Sequence, residues 1–131
     1  MSHRWDLAVI GAGPAGMAAA MEGASLGLRV AVLDEQPRPG GQVYRHAARP
    51  APGLEAALGP DHAEGMALVE RFLAADVEYL PGTTVWDLDG ELEVGFSRGG
   101  VASQASAGQV ILATGAMERP VPIPGWTLPG V

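Results

Sequence analysis

Apolar residues follow different patterns along this chain, and each pattern predicts a different element. Short continuous apolar runs, typical of strands buried on both faces of a sheet, occupy residues 7–10, 30–33 and 110–113. Residues 14–26 are rich in Ala and Met and precede Gly27, a residue that favours the end of a helix. A strand, a helix and a parallel strand over residues 5–34 therefore predict one βαβ unit with a right-handed crossover.

An irregular loop with several prolines and glycines, over residues 35–60, precedes a second predicted helix over residues 61–75. Asp61 and Glu64 have the spacing of a capping box at the start of this helix. An apolar stripe marks one side of it, and we interpret the stripe as core packing. Its members are Met66, Val69 and Leu73, with Phe72 beside them.

After Val77 the apolar period changes to two, which is typical of half-buried strands. Asp89-Gly90 is a strong hairpin signal, and Arg98-Gly99-Gly100 is a weaker one. Residues 83–106 therefore predict a three-stranded antiparallel β-meander, followed by a buried strand over 109–115 and a proline-rich segment over 116–131. In the meander we expect Leu92, Val94 and Phe96 to alternate with Glu91, Glu93 and Gly95.

Composition narrows the possible functions. A chain of 131 residues with 47% hydrophobic content predicts one globular domain. A net charge of -7 makes nucleic acid and anionic membranes poor partners. There is no cysteine, which excludes disulfides, thiolate metal sites and a CxxC redox pair within these residues. The scattered histidines lack metal-site spacing, and no segment predicts a signal peptide or membrane span, so we expect no metal and a cytoplasmic location.

The motif GAGPAG follows the first strand and opens the first helix. Gly11 is expected to make the tight turn, Gly13 to bring the backbone close to a pyrophosphate, and Gly16 to let the helix pack on the sheet. The first turn of the helix, which starts at Pro14-Ala15, would offer free N–H groups from the residues after the proline and a partial positive charge to phosphates. With the flanking strand, helix and second strand in place, this motif predicts a dinucleotide site.

An acidic residue ends the second strand, at the spacing of about 20 residues expected of a ribose-binding carboxylate. The spacing favours Asp34, and the long loop that follows leaves Glu35 as the alternative. A carboxylate accepts hydrogen bonds from ribose hydroxyls and repels a 2′-phosphate, so FAD or NAD fits this site better than NADP.

The stretch DEQPRPGGQVYR, residues 34–45, combines stiff and bare backbone. Two prolines restrict the loop, and Gly40-Gly41 can place backbone amides against a cofactor. Gln42 and Arg45 can donate hydrogen bonds there, and Tyr44 can stack or simply pack. An extended flavin cofactor needs such additional backbone contacts, although an ordinary surface turn is the alternative interpretation.

Taken together, VIGAGPAG, the acid near position 34, the following GG, the meander and VILATGA resemble the two-dinucleotide-binding flavoproteins. More narrowly, DEQPRPGGQVYR and ATGAMERPVPIPGWTLPGV resemble α subunits of multi-subunit amine and amino-acid dehydrogenases, of the opine oxidase, hydrogen cyanide synthase and (hydroxy)proline dehydrogenase types. The resemblance implies an α/β, Rossmann-like three-layer FAD-binding domain of parallel sheet, helices and β-meander. Since such proteins are several times larger, residues 1–131 are expected to be its N-terminal part, incomplete at the C-terminus and inactive alone.

The resemblance also implies which residues meet FAD. These are Gly11, Gly13, Pro14, Ala15, Gly16, Asp34 or Glu35, Gly41, Gln42, Val85 through its backbone at the adenine, and Thr114 and Gly115 near the pyrophosphate. No catalytic side chain can be assigned, and we interpret Glu118 and Arg119 as a solvated loop. An NAD(P)H site, if the protein has one, is expected outside this chain.

The predicted function is that of one subunit of an FAD-dependent oxidoreductase. It would pass electrons from a small amine or amino-acid substrate through flavin, in a hetero-oligomer with a β subunit. The sequence leaves two alternatives open: an NAD-dependent Rossmann dehydrogenase, and a non-catalytic subunit for nucleotide binding or assembly.

Overall fold

The computed structural model describes residues 4–44, 59–117 and 123–125. Their order is β1 (Trp5–Ile10), α1 (Pro14–Ser25), β2 (Val30–Asp34), α2 (Gly59–Ala74), β3 (Glu78–Pro81), β4 (Thr83–Leu88), β5 (Glu93–Arg98) and β6 (Val101–Leu112). The strands form one six-stranded sheet in the order β3-β2-β1-β6-β5-β4. The mixed α/β fold predicted from the sequence is therefore confirmed.

In the parallel part of the sheet, β1 and β2 are covered on both faces, whereas β3 and the second half of β6 are partly exposed. Val30 and Val32 of β2 pack with Phe72 and the other buried residues of α1 and α2. Ala31 and Leu33 point the other way and pack with Val94, Phe96 and Ala105 of the meander. Alternate residues of one strand thus enter two different cores, which is why these strands have continuous apolar sequences.

A single strand, β6, connects the parallel sheet to the meander. Its first half, residues 101–106, pairs antiparallel with β5, and residues 107–112 pair parallel with β1. The sequence predicts a meander strand ending at Ser106 and a separate strand starting at 109, and this division is wrong. Gly108 lies between the two patterns, but the backbone stays extended because each half has its own partner strand.

Strand β3 is missing from the sequence prediction. It is a four-residue edge strand, and its exposed Glu78 accepts hydrogen bonds from Trp5 Nε1 and from the guanidinium of Arg4. Pro81 occupies the last position, where an edge strand tolerates a residue without an N–H. A short strand with a glutamate and a proline carries too weak a pattern to be found from sequence.

Helix α2 begins at Gly59, two residues before the predicted start, so Asp61 is not its N-cap. A proline at the second position is tolerated because the first turn of a helix leaves its N–H groups unpaired. Val69 and Phe72 are buried as predicted, whereas Leu73 is 56% exposed and lies outside the core. Gly65 occupies the buried face instead.

Of the two meander turns, the one with the weaker sequence signal is the tighter turn in the structure. Gly99 and Gly100 form the tight two-residue loop, with φ values of 57° and 81°, between the paired residues Arg98 and Val101. Asp89 instead starts a wider loop, in which its Oδ1 accepts hydrogen bonds from the backbone N–H groups of Glu91 and Glu93. Leu92 lies in this loop with a φ of 59°, so it does not belong to the strand alternation predicted for it.

Candidate functional site

A cavity of about 1130 Å³ lies at the carboxyl ends of β1, β2 and β6. The carboxyl edge of parallel strands is where open α/β sheets bind their ligands. The volume exceeds the range of about 300–1,000 Å³ typical for drug-sized ligands. The cavity therefore suits an extended, dinucleotide-sized molecule.

The N-terminus of α1 opens onto this cavity without a side-chain cap. Gly13 is the N-cap residue, Pro14 follows it, and the first helical hydrogen bond runs from the N–H of Met17 to the carbonyl of Gly13. The N–H groups of Ala15 and Gly16 precede that bond, so they have no partner within the helix. The first turn also lacks an acidic residue, so no side chain of the helix itself occupies its anion-binding end.

The three motif glycines have different structural roles. A Cβ at Gly16 would overlap the carbonyl oxygen of Gly11, and a Cβ at Gly11 would overlap that of Ala113. Gly11 also has a φ of 107°, which L side chains rarely adopt. A Cβ at Gly13 would meet only the Cα of Gly41 at 3.9 Å, an ordinary contact. The fold thus requires the first and third glycines, whereas the middle one keeps space free at the helix N-terminus.

Asp34 holds the glycine turn in place. Its side chain is only 8% exposed. One carboxylate oxygen accepts a hydrogen bond from the N–H of Ala12, and the other accepts one from the N–H of Gln36 at 2.7 Å. Glu35 is exposed on the same cavity wall. Both acids therefore lie where a ribose ligand was predicted, but only Asp34 is bonded to the turn.

The loop that follows, residues 35–44, is bonded directly to the glycine turn. The N–H of Gly40 donates to the carbonyl of Ala12 at 2.8 Å, and a Cβ at Gly41 would lie 2.9 Å from the Cα of Gly13. Gly40 has a φ of 124°, which requires glycine, and Gly41 has a φ of 59°, where the close approach to Gly13 leaves no room for a side chain. The two bare backbones thus pack against each other at the phosphate-binding end predicted from the sequence.

The aromatic residue of this loop packs away from the cavity. Tyr44 does not line the cavity, and its ring lies against Gly65 of α2, where an added Cβ would overlap it. The N–H of Tyr44 also donates to the carbonyl of Gly40 at 3.0 Å. The sequence left open whether Tyr44 stacks on a cofactor or packs within the protein. In the structure it packs within the protein.

The segment after β6 closes the opposite side of the cavity. Thr114 and Gly115 line it, and Gly115 has a φ of 75°. The side-chain amide of Gln42 donates a long hydrogen bond of 3.5 Å to the carbonyl of Ala116. The loop after β2 and the loop after β6 therefore meet across the cavity.

Most of the predicted site residues lie together in this cavity. Its lining includes Gly11, Gly13, Pro14, Ala15, Asp34, Glu35, Gly41, Gln42, Val85, Thr114 and Gly115. Gly16 is absent from the lining, because it is buried against the backbone of Gly11. Arg45, Glu118 and Arg119 lie outside the described residues.

Sequence reasoning missed several residues of the cavity wall. Arg38 is the one cationic residue among the described lining residues, and Thr83 and Thr84 come from the start of β4. The threonines carry no motif that identifies them. The only signal in the sequence was the meander itself, whose first strand was expected to bring Val85 to the site.

The negative charge of Asp34 influences the pKa of Tyr79 on β3. Burial raises the pKa of the Tyr79 phenol well above its ordinary value, and the negative charge of Asp34 raises it further. The phenol ring packs edge-on against Phe72, with ring centroids 5.2 Å apart. The neutral phenol is therefore favoured in the folded protein.

This raised pKa predicts a loss of stability in alkali. The unfolded chain ionises Tyr79 near its ordinary pKa of about 10, whereas the folded chain does not. The stabilisation that comes from keeping Tyr79 neutral is thus complete below about pH 10, and it decreases as the pH rises towards the folded-state pKa. Between about pH 8 and pH 11, the free energy of unfolding measured in urea should fall less for the Tyr79→Phe protein than for wild type. Equal losses in the two proteins would contradict this assignment.

The chain has relatives that both sequence and structure identify. Residues 5–130 match the sequence profile of the pyridine nucleotide-disulphide oxidoreductase family. The chain is 51% identical over 139 residues to a subunit of opine oxidase from Agrobacterium tumefaciens (strain Ach5), covering 100% of this chain and 28% of that protein. It is 41% identical over 135 residues to hydrogen cyanide synthase subunit HcnB of Pseudomonas protegens, covering 94% and 27%.

Among solved structures, L-proline dehydrogenase from P. horikoshii aligns with a TM-score of 0.70 and 28% sequence identity. The alignment covers 89% of this chain and 24% of that protein. The chain thus spans about a quarter of the length of these relatives. In the part of the chain that the structure describes, no helix is long and apolar enough to cross a membrane.

Proposed function

Because the chain belongs to the pyridine nucleotide-disulphide oxidoreductase family, we propose that its cavity binds FAD for a flavin-dependent oxidoreductase. The observation that carries this proposal is the free space at Gly13. The fold itself would accept a side chain there, yet the residue is glycine at the N-terminus of an uncapped helix. A diphosphate seated on that helix end accounts for this glycine.

The residues around this point fit the rest of the cofactor. The free N–H groups of Ala15 and Gly16 would bind the diphosphate. Asp34 or Glu35 would accept hydrogen bonds from the ribose, and Val85 would meet the adenine through its backbone. Gly41, Gln42, Thr114 and Gly115 would border the part of the cofactor nearer the flavin. All of them except Gly16 line one continuous cavity, and Gly16 directly precedes the first intrahelical hydrogen bond.

FAD would supply the redox chemistry, and this chain would bind and orient it. The chain contains no cysteine, so these residues do not form the redox-active disulfide that the family name refers to. We infer that the flavin does not pass electrons to a disulfide within these residues, and that the sheet and its loops serve to fix the cofactor and exclude water.

The names of the relatives support a substrate class. Opine oxidase and L-proline dehydrogenase are named for amine-type or amino-acid substrates. We propose that the intact protein oxidises a small amine or amino acid. The relatives named as subunits also support a multi-subunit enzyme. We propose that its partner is a β subunit on which the substrate is oxidised.

A visible absorption and fluorescence spectrum of the purified intact protein tests the cofactor. We expect flavin that survives desalting and that is released as FAD when the protein is denatured. Anaerobic addition of a suitable amine or amino acid should then bleach the flavin absorption. A folded protein that carries no flavin, takes up none when FAD is added and instead binds NADH would overturn the proposal.

A further inference from the structure

Two buried side-chain oxygens have no hydrogen-bond partner among the described residues: Tyr79 Oη and Thr83 Oγ1. Buried polar groups are normally satisfied, so each case needs an explanation. Tyr79 does not line the cavity, whereas Thr83 does. Thr83 is only 1% exposed, so water does not hydrate it as it would a surface hydroxyl.

The position of Thr83 puts it on one particular part of the cavity wall. It is the first residue of β4, and the N–H of the preceding Gly82 donates to the carbonyl of Gln36 at 3.1 Å. Gln36 in turn is bonded to the carboxylate of Asp34. The start of β4 is therefore attached to the acid-bearing loop at the ribose end of the proposed cofactor.

Folding alone does not account for a hydroxyl at this position. Valine has nearly the same shape as threonine, and it would occupy a buried strand position without leaving a polar atom unpaired. Thr84, the next residue, also lines the cavity but is exposed, so its hydroxyl can bind water. Among the described residues that line the cavity, the unpaired buried side-chain oxygen is thus that of Thr83.

We propose that the Thr83 hydroxyl hydrogen-bonds the adenosine half of the bound cofactor. This inference rests on the proposed function. A hydroxyl both donates and accepts, and the adenosine half offers purine nitrogens, an exocyclic amine and ribose hydroxyls. Rotation about χ1 exchanges the positions of the hydroxyl and the methyl group among staggered wells, so the hydroxyl can turn towards a ligand. Binding would then supply the partner that the protein does not.

The test compares Thr83→Val with Thr83→Ser in the intact protein freed of flavin. Ser97→Ala is the control, because it removes a hydroxyl from the neighbouring strand β5 outside the cavity lining. Binding of FAD and of AMP is measured by calorimetry, because AMP contains the adenosine half alone. We expect Thr83→Val to weaken both ligands by the same factor, about five- to tenfold, as for the loss of one hydrogen bond. Thr83→Ser, which keeps the hydroxyl, and Ser97→Ala should bind both within about twofold of wild type.

The thermal midpoint of the flavin-free protein separates this role from a structural one. Removing an unpaired buried hydroxyl should leave the midpoint of Thr83→Val equal to that of wild type or higher. The inference is overturned if Thr83→Val binds both ligands as tightly as wild type, and equally if that variant fails to fold. In both cases wild-type FAD binding would leave the proposed function standing. Wild-type protein that binds neither FAD nor AMP would overturn the proposed function as well.

Discussion

Gly13→Ala should abolish tight FAD binding and leave the folded protein intact. The new methyl group has only an ordinary contact to make within the protein, with the Cα of Gly41 at 3.9 Å. Gly13 also has a φ of -73°, which alanine adopts without strain. In the complex, however, the methyl group would lie between the diphosphate and the free N–H groups of the helix. Losing two charge-assisted hydrogen bonds corresponds to an affinity for FAD that is weaker by about a hundredfold or more.

Gly16→Ala is the matched variant in the same motif, and its expected result is the opposite. Its Cβ would overlap the rigid carbonyl of Gly11. The loss of folding stability should therefore be larger than that of ordinary overpacking, which is about 1–3 kcal/mol. Circular dichroism and thermal unfolding should show a native Gly13→Ala protein and a severely destabilised Gly16→Ala protein. A Gly13→Ala protein that retains flavin through desalting would mean that no diphosphate lies against this turn.

Asp34→Asn should lower both stability and cofactor affinity. The carboxylate accepts hydrogen bonds from the N–H groups of Ala12 and Gln36, and the first of these is buried. An asparagine amide presents one oxygen and one NH₂ group, so one backbone donor would face another donor. An unsatisfied buried group of this kind costs about 1–3 kcal/mol. Loss of the charge that would bind ribose hydroxyls should weaken FAD a further ten- to hundredfold, roughly.

Glu35→Gln distinguishes the two candidate ribose ligands. Glu35 is exposed, and among the described residues its side chain accepts just one long hydrogen bond of 3.5 Å, from the side-chain amide of Gln36, so its replacement should not alter stability. If Asp34 binds the ribose, Glu35→Gln keeps wild-type affinity for FAD. If instead Glu35→Gln loses affinity at unchanged stability, and Asp34→Asn loses stability alone, the ribose ligand is Glu35. Urea unfolding and FAD titration of the two variants measure the two effects separately.

The sequence was sufficient to predict those parts of the fold that are determined by residues close together in the chain. The βαβ unit and its glycine motif follow from runs of residues whose backbone needs are set by near neighbours. Gly27 adopts a φ of 80° just after α1, as the sequence predicts for a helix stop. The predicted cavity residues lie together because the carboxyl ends of neighbouring parallel strands share one edge of the sheet.

The parts that were missed depend on distant partners. Strand β3 exists because β2 offers an edge and because Glu78 binds Arg4 and Trp5. Leu73 looks like a core residue by helical spacing, but no described element covers it. The candidate role of Thr83 depends on its burial and on the lack of a hydrogen-bond partner among the described residues. These properties arise only from the packed structure.

The continuity of β6 has a consequence for how the chain folds. Leu7 pairs with Gln109, and Glu93 pairs with Ser106 of the same strand. During synthesis, β1 therefore has an unpaired edge until nearly the whole described chain has left the ribosome. Pairings so distant in sequence are typical of slow folding, and an exposed strand edge in the interval favours aggregation. Because β6 supplies both partners at once, the βαβ unit and the meander are expected to reach their native state in one cooperative step.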